Sequence, residues 1–128
     1  MNKIKTVFII VVITIAIYAC SKDDVNTNDA NVIIPTWFSP DGDGIKDTWI
    51  VEDPLNLIDG NQFSAKIYDT THKLVFSTID KNKPWLGTQS DSTLPCDTGN
   101  YFYAVQYRYW SGVNRYRAGT VFLSRKNP

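Results

Sequence analysis

From Tyr101 to Tyr109 a tyrosine or valine stands at every second position, with Phe102, Ala104, Gln106 and Arg108 between them. A two-residue period belongs to an extended strand, whose side chains leave by alternate faces; a helix cannot place residues so spaced on one side. Gly99 to Trp110 is therefore read as a long strand. The next residues, Ser111, Gly112, Val113 and Asn114, are turn-forming, and a second extended run follows from Tyr116 to Leu123. Together they predict a C-terminal hairpin.

Upstream, Phe63, Ala65 and Ile67 alternate with Ser64, Lys66 and Tyr68, and the polar stretch Asp69 to Lys73 separates them from the apolar run Leu74 to Phe76. That stretch suits the loop of another hairpin. Val32 to Ile34, Thr36 to Phe38 and Thr48 to Val51 add further runs rich in β-branched and aromatic side chains. About seven short strands in one domain predict an all-β fold, an immunoglobulin-like antiparallel β-sandwich. Either face of the Gly99 to Trp110 strand suits a core. Turned outward, Tyr101, Tyr103, Tyr107 and Tyr109, with Arg115 and Arg117 of the following strand, would form an interaction surface or a stacking platform for sugars. Turned inward, the same rings would cover a small core.

Composition narrows the function. The chain of 128 residues carries 13 basic and 13 acidic side chains, so it lacks the basic excess that neutralising phosphates requires, and no nucleic-acid partner is expected. Its single imidazole, His72, sits in a polar turn with no thiol or hydroxyl nucleophile patterned to work with it. No catalytic residues are assigned, and the chain is read as not an enzyme.

At the N-terminus Lys3 and Lys5 precede an apolar run from Val7 to Ile17, broken only by Thr14, which leads to Ala19 and Cys20. This is the plan of an export signal, and the run falls short of the roughly 20 residues a spanning helix needs. Ile17-Tyr18-Ala19-Cys20 resembles the lipobox of bacterial lipoproteins, which implies cleavage before Cys20 and acylation of its thiol. Ser21-Lys22-Asp23-Asp24 is similar to the short acidic signal that sends lipoproteins of the Bacteroidetes to the outer face of the outer membrane. The resulting division is a signal peptide over 1–19, an acylated cysteine and polar tether over 20–31, and the β domain over 32–128. With Cys20 acylated, Cys96 is the remaining thiol and reads as a small buried hydrophobe.

Pro40 to Asp47 places Asp41, Asp43 and Asp47 in one glycine-rich loop. Calcium favours six to eight oxygens from such flexible loops, but no EF-hand spacing is present. A tight turn stabilised by its own aspartates is the competing reading. Calcium is thus a possible ligand, and no other cofactor is indicated.

The order Ile34-Pro35-Thr36-Trp37-Phe38-Ser39-Pro40-Asp41-Gly42-Asp43-Gly44-Ile45-Lys46-Asp47-Thr48-Trp49, then Phe63 to Tyr68, Trp85-Leu86-Gly87, Leu94-Pro95, Gly99 to Tyr103 and Ala118 to Arg125, resembles the gliding-motility-associated C-terminal domain. That domain is the type B sorting domain of the type IX secretion system. The resemblance implies a β-sandwich recognised by the secretion machinery. Where the family carries Asn-Arg-Trp-Gly this chain has Asp69-Thr70-Thr71-His72, and the family's Trp-Asp-Gly appears as Trp85-Leu86-Gly87.

An anchor and a tether precede this domain in place of a cargo, which suggests another use of the scaffold. The expected function is a non-enzymatic accessory subunit, lipid-anchored on the outer membrane and facing the exterior. Its partners would be outer-membrane proteins of the type IX secretion or gliding machinery. The alternatives are a glycan- or surface-binding adhesion module, and a secreted cargo of the type IX system.

Overall fold

The computed structural model describes residues 31–90 and 92–125. The signal segment 1–19, Cys20 and the tether as far as residue 30 lie outside the described residues. Among the described residues there is no helix, and five strands form a single sheet: β1 (Trp37–Phe38), β2 (Ile58–Tyr68), β3 (Leu74–Thr78), β4 (Gly99–Tyr109) and β5 (Asn114–Leu123). Their spatial order is β1-β5-β4-β2-β3.

Both expected hairpins are present. In the β2–β3 turn, Oδ1 of Asp69 accepts the Thr71 hydroxyl at 2.6 Å and the amides of Thr71 at 2.9 Å and Lys73 at 3.0 Å. These bonds, led by the Thr71 hydroxyl, hold the Asp69 carboxyl below its usual range. The β4–β5 turn closes through Tyr109 N–H to Val113 O and Gly112 N–H to Tyr109 O, both 2.8 Å, with Gly112 at a φ of 93° that favours glycine.

Two features depart from the sequence reading. β1 runs parallel to β5, pairing Trp37 with Phe122 and Phe38 with Leu123, so the sheet is mixed. Val32 to Ile34 and Thr48 to Val51 form no strands; each contributes one isolated bridge, Ile33 to Glu52 and Trp49 to Trp85. Prolines account for part of this. Pro35 and Pro40 flank β1 and lack the N–H a ladder needs, which keeps the strand short. The expected all-β class holds; in place of the about seven antiparallel strands of an immunoglobulin-like sandwich, the described residues form five strands in one mixed sheet whose core face is covered by bridged loops.

The core lies between that face and those loops. Trp49 and Trp85, each 1% exposed, exchange backbone hydrogen bonds of 3.0 and 2.8 Å. Their indole N–H groups donate to Pro35 O at 2.9 Å and Thr88 O at 2.8 Å, so neither buried ring leaves a donor unpaired. Trp85 packs on Phe38, with ring centroids 5.1 Å apart, and edge-on against Tyr101 at 5.2 Å. Ile58 and Ile67 of β2, Val105 of β4, and Val121 and Leu123 of β5 add fully buried side chains to this core. Asp53 ties the loop ahead of β2 to the strand: its carboxylate accepts the amides of Leu57 at 2.8 Å and Ile58 at 3.0 Å and the Lys81 ammonium at 3.2 Å.

Candidate docking surface

The orientation of β4 decides which of its side chains face the core. Odd-numbered residues point to the core: Tyr101 and Tyr107 are buried, the latter 2% exposed, and Tyr103 and Tyr109 are half-buried. The outward tyrosine row is therefore corrected to an inward one. Tyr101 donates its hydroxyl to Asp97 O at 2.7 Å. Burial first, then the neighbouring Cys96 and Asp97, pushes that phenol up to about 12. Tyr103 packs on Trp49, with centroids 5.8 Å apart, and Tyr107 meets Tyr109 edge-on at 5.5 Å.

The arginines of β5 share this inward face. The Arg115 guanidinium lies 5.6 Å from the centre of the Tyr109 ring, and Arg117 Nη1 donates to Val32 O at 2.6 Å. Arg117 thereby fastens the start of the domain to β5. Beyond β5, Arg125 does the same for the loop ahead of β4. Its Nε and Nη2 donate to Cys96 O at 3.1 and 2.8 Å, Nη2 also donates to Gly87 O, and its amide donates to Thr98 Oγ1 at 3.1 Å. Cys96 is a buried free thiol whose pKa is pushed up chiefly by burial, which matches an inert structural role.

The acidic loop folds on itself. Asp47 accepts the amides of Gly42 at 2.9 Å and Gly44 at 2.7 Å, one on each oxygen; Asp41 accepts Asp43 N–H at 3.1 Å, and Asp43 accepts Ile45 N–H at 2.8 Å. Gly42 and Gly44 adopt φ of 80° and 84°, as self-capped turns require. Carboxylate oxygens of Asp41, Asp43 and Asp47 lie within 4.8 Å of one another, a spacing that a hard cation could share. The backbone bonds already explain why the three acids are there.

The opposite face of the sheet offers what the tyrosine row does not. Register places Trp37 beside Phe122 and Tyr68 beside Phe102, while Phe122 and Phe102 sit on adjacent strands one diagonal step apart. One aromatic from each of β1, β5, β4 and β2 thus forms a row across the outer face. Phe102 is 39% and Phe122 42% exposed. Cationic or polar groups border the row: Lys46 Nζ stands 4.5 Å from the centre of the Trp37 ring, and His72 stacks on Phe102 at 6.2 Å. An open aromatic row with a polar border has the anatomy of a protein contact. The alternation in β4 and β5 contained this signal in its even-numbered residues, beside the more conspicuous tyrosines.

No curated protein matches the chain. The family model CHU_C, described as a type IX secretion signal domain, matches residues 32–123. That span runs from the first core residue, Val32, to the last residue of β5. A domain of this kind implies a protein of the cell envelope or a secreted one. With most of its length and all five strands inside the match, the chain belongs to the type IX secretion signal domain family.

Proposed function

We propose that the chain is a surface-exposed outer-membrane lipoprotein, acylated at Cys20, that serves as a non-enzymatic accessory subunit of the type IX secretion or gliding machinery. The observation that carries this reading is the row Trp37, Phe122, Phe102 and Tyr68 on the outer sheet face. Large rings held on a rigid sheet contribute contact area at little entropic cost, and a partner that covers them desolvates the row. An outer-membrane protein of the secretion machinery is the partner that family membership favours. A tagged full chain purified from detergent-solubilised outer membrane is expected to bring secretion components with it. Replacing Phe102 and Phe122 by Ser should abolish that co-purification while the thermal melt is retained. Absence of any secretion component, or indifference to the double substitution, would overturn the proposal.

The family description itself favours a second reading, in which the protein is cargo of the type IX system. Fractionation separates the two. An accessory lipoprotein stays with the membrane and is released by Cys20→Ser, whereas cargo accumulates outside the cell after processing of its signal domain.

A further inference from the structure

Along β2 the ladder to β4 skips: Ile58 pairs with Tyr109 and Phe63 with Tyr107, so Asp59, Gly60, Asn61 and Gln62 stand opposite Arg108 alone. Four residues cannot lie flat against one, so the segment bows away from the ladder. A cleft of about 480 Å³ lies between it and the β4–β5 hairpin. The register sets Gln106 beside Tyr116 and Arg108 beside Asn114, all four exposed and on the outer face of the sheet. Asn61 and Gln62 line the cleft from the bulge. No carboxylate is among the described residues that line it. The nearby Asp59 turns its Oδ1 to the Asn61 amide at 3.0 Å.

We propose that this cleft binds an acidic saccharide, a chain of hydroxyl-rich rings bearing carboxylates. A guanidinium fork matches a carboxylate in two parallel hydrogen bonds, and Arg108 meets no acidic neighbour in the lining. Carboxamides offer a donor and an acceptor together, as a sugar hydroxyl does, so Asn61, Gln62, Gln106 and Asn114 suit a polyol. An apolar ligand would leave these amides desolvated and unpaired. The Tyr116 ring, 54% exposed, supplies a flat apolar face of the kind that sugar rings stack on. The cleft lies roughly 15 Å along β4 from Phe102 and does not overlap the aromatic row. The cleft and the aromatic row are therefore separate surfaces of the same sheet face.

The test is calorimetric titration of the full chain with tetragalacturonate, neutral cellotetraose and tetraglutamate. Tetragalacturonate is expected to bind saturably, about tenfold or more tighter than either comparator. Arg108→Gln and Gln106→Ala should each weaken that binding about tenfold without moving the thermal melt, because both side chains are exposed. Failure of tetragalacturonate to bind, equal affinity for tetraglutamate, or binding untouched by both substitutions would each overturn the proposal.

Discussion

The phenol of Tyr103 lies across Gly119, its cross-strand partner: a Cβ at residue 119 would stand 2.6 Å from the phenolic oxygen and 2.8 Å from Cζ. Glycine in the middle of a strand weakens it, unless a neighbouring group needs the vacated space. Here the ring of Tyr103 fills it and reaches Trp49. Gly119→Ala is expected to destabilise the domain by about 1–3 kcal/mol in urea denaturation, through overpacking. In a Tyr103→Ala background the same substitution should cost at least about 0.5 kcal/mol less, which a double-mutant cycle reads directly.

Gly87 and Arg125 form a second dependent pair. At a φ of 74°, a Cβ on residue 87 would stand 2.6 Å from Leu123 Cδ1 and 3.3 Å from Arg125 Nη2. Gly87→Ala therefore meets both backbone strain and a clash. Arg125→Ala removes the guanidinium that satisfies the Cys96 and Gly87 carbonyls, at an expected cost of about 1.5–3 kcal/mol. Arg125→Lys should recover only part of it, since an ammonium lacks the planar fork. Thermal melts of the three variants check the order.

Acid should weaken the domain through Asp53. Burial alone would raise its carboxyl, but the amides of Ile58 and Leu57 and the Lys81 ammonium together hold it below its ordinary value. A depressed carboxyl contributes stability that is fully present above its unfolded pKa and is lost as pH falls through the lower folded value. Denaturation midpoints should fall as pH drops below about 4. Asp53→Asn should flatten that decline and cost about 1–3 kcal/mol at neutral pH.

Alkali acts through Tyr101. Its phenol is raised to about 12, so the stability it contributes is complete below the unfolded value of about 10 and is lost as pH rises from there through the folded value. Ultraviolet titration of the folded chain should show one phenol ionising later than the exposed ones. Tyr101→Phe should remove that late step.

Within the acidic loop, Asp47 holds the amides of Gly42 and Gly44. Asp47→Ala should destabilise the domain by about 1–2 kcal/mol, as loss of a side-chain cap does. Because those carboxylates already carry backbone donors, millimolar calcium is expected to leave the melting temperature unchanged. A saturable rise would instead show that the ion binds the folded state.

The hairpins were legible because alternation and turn chemistry are local: Asp69 to Lys73 and Ser111 to Asn114 announce their turns from within the segment. The facing of β4 was not. Tyr and Phe serve equally well inside or outside, so only the burial of Trp49 and Trp85 against the odd-numbered residues decides it. Parallel pairing of Trp37 with Phe122 joins residues from opposite ends of the domain, beyond the reach of any local period. The bulge opposite Arg108 was likewise hidden, since Asp59 to Gln62 reads as loop composition yet falls within the bounds of β2. The Arg125 clamp left one trace, the glycine that follows Trp85-Leu86, whose purpose appears only when Leu123 and Arg125 pack on it.

The parallel pairing of β1 with β5 also has a temporal meaning. A polypeptide synthesised N-terminus first presents Trp37 long before Phe122 follows, so β1 must wait without its neighbour until β5 has been made. Closure of this edge is in effect a receipt for a finished sheet.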